Sequence, residues 1–176
     1  MMKKIILLCF CLLLTITKLN AQNAELTTLR IGAFKHGMTL KEVKAITEKP
    51  LRKGKGQYGT DCDVAIYKGQ EIQLDGITLY EGATENELKV YGLATKSTLF
   101  KTKSGLGVGS TKEQLFKAYK DYPNFSVGQR WDDKAHKLST TETFFSLEDI
   151  AAGTNLMFIM VNNIVTEVSI YVNEEG

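Results

Sequence analysis

Gly37-Met38-Thr39-Leu40-Lys41-Glu42-Val43, closed by Pro50, returns in the second half of the chain as Gly109-Ser110-Thr111-Lys112-Glu113-Gln114-Leu115, closed by Pro123. In each copy a Gly stands two residues before a Thr, a Glu or Gln follows the Thr at the third position, and an aliphatic residue comes next. The Thr hydroxyl can accept from a first-turn backbone N–H while the Glu or Gln side chain reaches back to the Thr N–H, so each copy spells the start of a short helix. Pro cannot continue a helix, and these closing positions hold the only two prolines of the chain. The pattern predicts an internal duplication in which each unit is led by one capped helix.

Outward from these starts, Leu40, Val43 and Ile46 share a face of the first helix, as do Leu115, Ala118, Tyr119 and Tyr122 of the second. Each helix is followed by strand candidates. In the first half they are Cys62 to Lys68, Glu71 to Leu74 turning at Asp75-Gly76 into Ile77 to Tyr80, and Leu88 to Leu93 continuing towards Thr98. In the second they are Phe125 to Trp131, Thr140 to Leu147, and Leu156 to Val161 turning at Asn162-Asn163 into Ile164 to Val172. Along the last strand Ile164, Val168, Ile170 and Val172 alternate with Glu167, Ser169 and Tyr171, which predicts one buried and one wet face. The basic, glycine-rich stretch Lys53 to Gly59 reads as an exposed loop. The expectation is an α+β fold of two tandem repeats, residues 22–102 and 103–176, each a short capped helix packed on an antiparallel meander of about four strands.

The N-terminus reads as a signal peptide over residues 1–21. Met1-Met2-Lys3-Lys4 is a charged start, Ile5 to Ile16 is almost wholly apolar, and Ala21 offers a small residue for cleavage. The apolar run is short for a membrane span, and Cys9 and Cys11 lie inside it rather than at its end, which argues against a lipid anchor. Cleavage would remove three lysines, turning the net charge of +2 into about −1. No basic stripe with interleaved aromatics remains, which argues against a nucleic-acid partner. Cys62 would be the one cysteine left, so roughly 155 residues would have to hold together by their core without an internal disulfide.

The run Phe100-Lys101-Thr102-Lys103-Ser104-Gly105-Leu106-Gly107-Val108-Gly109-Ser110-Thr111-Lys112-Glu113-Gln114-Leu115, with Tyr119 after it, and the hairpin from Val161 to Ile170 resemble the β-lactamase-inhibitor-like (BLIP-like) tandem repeats, related to small outer-membrane assembly lipoproteins of the SmpA/OmlA type. The resemblance implies helices on one face of antiparallel strands, and a role in binding another protein rather than in catalysis. It carries over no contact residues.

Candidate sites are few. The Gly105-Leu106-Gly107-Val108-Gly109 run lacks the register and the βαβ surroundings of a dinucleotide fingerprint and reads as the entry to a helix cap. Trp131, Asp132, Asp133 and His136 form the densest polar-aromatic cluster, but consecutive Asp side chains diverge along an extended chain. Cys62 lies between Asp61 and Asp63, whose charge disfavours a thiolate. The reading assigns no catalytic residue, cofactor or metal, and names Trp131 and Tyr171 as partner-binding aromatics. It expects an exported binding or assembly module of the bacterial envelope whose partner is another envelope or secreted protein. The alternative is a small-ligand-binding protein or hydrolase using a cleft between the repeats, with Asp132, Asp133 or His136 in it.

Overall fold

The structure is a computed structural model that describes residues 26–56, 59–76, 84, 86–132 and 135–172. The expected signal peptide and the strand Ile77 to Tyr80 lie outside the described residues. In chain order the elements are β1 (Arg30–Ile31), β2 (Phe34–Lys35), α1 (Leu40–Ile46), β3 (Arg52–Lys55), β4 (Asp61–Tyr67), β5 (Gln70–Asp75), β6 (Gly92–Thr95), α2 (Lys112–Tyr119), β7 (Phe125–Asp132), β8 (Lys137–Asp149), β9 (Thr154–Val161) and β10 (Ile164–Val172).

Both helices start as the sequence dictates. The Thr39 hydroxyl accepts from the Glu42 N–H and Glu42 Oε2 accepts from the Thr39 N–H, and Thr111 and Gln114 exchange the same two bonds. Each cap segment is also tied to a neighbouring strand-like segment by the same three backbone bonds. Gly37 donates to Val90, Val90 to Met38 and Leu40 to Leu88; likewise Gly109 donates to Val165, Val165 to Ser110 and Lys112 to Asn163. Gly37 and Gly109 have φ of 79° and 90°, the left-handed region that a residue with a Cβ resists. Thr111→Ala leaves that ladder intact and removes the hydroxyl. It is expected to lower stability by about 1 kcal/mol, read as a drop in urea midpoint at unchanged slope. No change would mean that the ladder alone fixes the helix start.

The expected pair of helix-on-meander units is not what forms. About half of the structure is strand, and β3 to β10 make one antiparallel sheet in the order β3-β4-β5-β6-β10-β9-β8-β7, with β1 and β2 as a separate hairpin. The two halves fuse because β6 pairs with β5 on one side and with β10 on the other, Leu93 opposite both Leu74 and Ile170. Two isolated meanders would each expose an edge here; joining them satisfies those backbone groups and buries their apolar side chains. The helices are also minor contributors. Among their residues Val43 and Leu115 are the fully buried ones, and much of the cover over the sheet comes from Leu26, Ile31, Phe34, Phe100, Leu106 and Val108.

Local expectations change as well. Of the stretch Lys53 to Gly59 expected as loop, residues 53–55 belong to the edge strand β3. β4 and β5 turn at Lys68-Gly69, both at positive φ, a hairpin the sequence reading did not mark. The hairpin at Asn162-Asn163 forms as expected, at φ of 51° and 64°. Beyond it a bulge between Val165 and Glu167 shifts the alternation, so Val165 rather than Ile164 enters the core.

Candidate functional site

Strand register defines the sheet face opposite the core. Side chains directly across a pair point the same way, so Arg52, Val64, Gln73, Ala94, Ser169, Met157, Ser146 and Ser126 form one row across all eight strands. A parallel row carries Asp75, Gly92, Tyr171, Asn155 and Glu148, and another carries Glu167, Ile159, Phe144 and Gly128. The expected wet face is therefore this one, yet Ser169 is fully buried and Glu167 is 7% exposed.

Small residues on β6 create this burial. Gly92 has no side chain, and a Cβ there would lie 2.9 Å from the Tyr171 ring. The ring crosses that gap, and its hydroxyl donates to Asp75 Oδ2 at 3.1 Å. Next to it Ala94 separates Gln73 on β5 from Ser169 on β10. Gln73 donates through its amide to the Lys55 carbonyl, which draws the end of β3 over the face. Four acceptor atoms are left without a partner inside this cover: Gln73 Oε1, Asp75 Oδ1, Ser169 Oγ and Glu167 Oε1.

Burial sets the electrostatics. It pushes the Asp75 carboxyl above its ordinary range, partly opposed by the Tyr171 hydrogen bond. It pushes Glu167 up as well, against the pull of Lys96, whose ammonium is 3.6 Å from Glu167 Oε2. Cys62 is raised by burial first and by the charges of Asp75 and Asp63 next. A thiol raised in this way stays protonated and is a poor nucleophile.

The residues singled out from sequence fall in separate places. Tyr171 belongs to the buried cluster and is half-buried. Trp131 lies on the edge strand β7, 56% exposed, opposite Leu138 at 52%. Asp132 caps the turn after it, accepting from the Ala135 N–H, and His136 follows with φ of 49°. Asp133 lies outside the described residues. Gln73, Asp75, Glu167 and Ser169 were missed as a group. The signal that would have found them is the spacing Gly92-x-Ala94, two small residues on one face of a strand between polar neighbours.

The sheet's two edges differ. β3 carries Arg52, Lys53 and Lys55, paired with Glu71, Asp63 and Asp61, and is four residues long. Charge and shortness guard such an edge against another strand. β7 is eight residues long and carries Phe125, Val127 and Trp131 among few charges. Among the described residues no helix is long and apolar enough to cross a membrane. Comparison of the chain with family models, with curated proteins and with solved structures finds no match.

Proposed function

We propose that this chain is an exported, non-enzymatic binding module of the bacterial envelope whose partner protein adds an extended segment to the edge strand β7, anchored at Trp131 and Leu138. The observation that carries this reading is the contrast between the two edges: lysines and ion pairs protect the four-residue β3, while β7 is an eight-residue edge strand with few charges that carries an exposed Trp opposite an exposed Leu. Strand addition draws affinity from the backbone and specificity from such side chains, and an exposed Trp is a frequent anchor. The expected leader, a charged start followed by an apolar run, and the resemblance to protein-binding envelope repeats support the same role.

The test places a photo-crosslinking residue at Gln129 on β7 or at Lys53 on β3 in the full chain expressed in the source cell. The reading expects one defined protein adduct from position 129 and none from position 53. With that partner in hand, Trp131→Ala should weaken binding tenfold or more, about 1.4 kcal/mol. Equal adducts from both edges, or a partner held equally well by Trp131→Ala, overturns the assignment.

A further inference from the structure

At the β7 side of the same face lies a groove of about 430 Å³, within the range of small-molecule sites. Its floor is built from three paired strands, with Ser126 opposite Ser146, Ser146 opposite Met157, and Glu148 opposite Asn155. Phe144 forms its aromatic wall. The ring lies over Gly128, where a Cβ would come within 2.7 Å of two ring carbons, so the glycine lets it lie flat along the sheet. The far end is fixed by Asn124, whose carbonyl accepts from the Glu148 N–H at 2.9 Å, and by Tyr122, whose hydroxyl donates to the Glu148 carbonyl.

The lining chemistry narrows the ligand. Among the described residues no Lys or Arg lines the groove, so no cation is there to pair with a phosphate or carboxylate. Among the described residues Glu148 is the one carboxylate in the lining, and no cluster of three or more His, Cys, Asp or Glu that could hold a metal ion is found. The lining is two amides, two hydroxyls and a carboxylate together with Pro123, Phe125, Phe144 and Met157. Amides and hydroxyls both donate and accept, as a ring of alternating hydroxyls requires. The backbone of β8, the middle strand of the floor, is consumed by the β7–β8 and β8–β9 ladders, so an extended peptide lying across the floor would find no main-chain complement in it. The geometry points to a neutral saccharide, with one C–H face of a sugar ring stacked on Phe144 and its hydroxyls shared among Ser126, Ser146, Asn124 and Asn155.

This site lies at the Phe125 end of β7, the opposite end of the strand from Trp131, and its test is separate. Amide chemical shifts of the full chain are followed while maltotriose, cellotriose or an N-acetylglucosamine trimer is added. At least one sugar should give saturable shifts concentrated at Ser126, Phe144, Ser146 and Asn155. Phe144→Leu keeps apolar bulk over Gly128 but removes the stacking face, and Asn155→Ala removes an amide. Each should weaken the interaction at least tenfold while the remaining spectrum stays folded. Absence of saturable shifts with all three sugars, shifts scattered over the surface, or affinity unchanged in Phe144→Leu overturns the proposal.

Discussion

Phe145→Ala is expected to cost about 3–5 kcal/mol, a large share of the 5–15 kcal/mol by which domains of this size are stable. Phe145 is fully buried. Its ring meets Phe116 edge-on at 5.4 Å, stacks on Phe125 at 5.5 Å, and lies 6.2 Å from Tyr119 and 6.4 Å from Phe158. Those partners come from α2, β7 and β9, so the lost ring leaves a void that no single element can move to fill. Urea unfolding measures the loss. Phe34→Ala is the companion variant, since Phe34 is equally buried in the first half and meets Tyr67 edge-on at 5.7 Å. Because β6 joins β5 to β10, both substitutions should shift one common transition. Separate transitions for the two variants would show that the halves unfold independently, and a loss below about 1 kcal/mol would show that Phe145 is not packed against these rings.

What the sequence made legible is what short range controls. The capping boxes at Thr39 and Thr111 involve residues three apart, and the turn at Asn162-Asn163 needs two residues that tolerate positive φ. Both follow from neighbours in the chain. The pairing of β6 with β10 joins residues more than seventy positions apart, and no local pattern of either strand selects that partner. The bulge after Val165 is equally hidden: strict alternation puts Ile164 inside, while the extra residue at Thr166 exposes it.

The burial of the second face follows from the missed pairing. Once β6 lies between β5 and β10, Gly92 and Ala94 stand between polar side chains from both, and the face closes over Ser169 instead of staying open to water. Read as an isolated strand, β10 with Glu167, Ser169 and Tyr171 on one side looks amphipathic. In the middle of an eight-stranded sheet it is covered on both sides, which is how Tyr171 comes to be a half-buried partner of Asp75.

That enclosure makes Asp75 costly when ionised, and Asp75→Asn is expected to stabilise the protein by about 2 kcal/mol at pH 7, the scale of an unpaired buried polar group. Asp75 Oδ2 keeps the Tyr171 bond, while Oδ1 has no donor. The groups around it offer little relief: the Cys62 thiol is neutral, Gln73 turns its amide away to Lys55, and Glu167 on β10 adds like charge. Burial raises the folded-state carboxyl above its unfolded value, so the stability tied to this group is fully present below the unfolded range near pH 4 and is lost as pH rises through the folded value. The advantage of Asp75→Asn over the natural chain should therefore be greatest at pH 7 and fade towards pH 4. Comparing the two chains at each pH cancels the exposed carboxylates of Glu42, Asp61 and Glu87, whose lowered values act in the opposite direction. Thermal melts of both chains across this range decide it. A loss of stability in Asp75→Asn at pH 7 would mean that the ionised carboxylate is favourably held, and the cover over this face would then have to supply a donor to Oδ1.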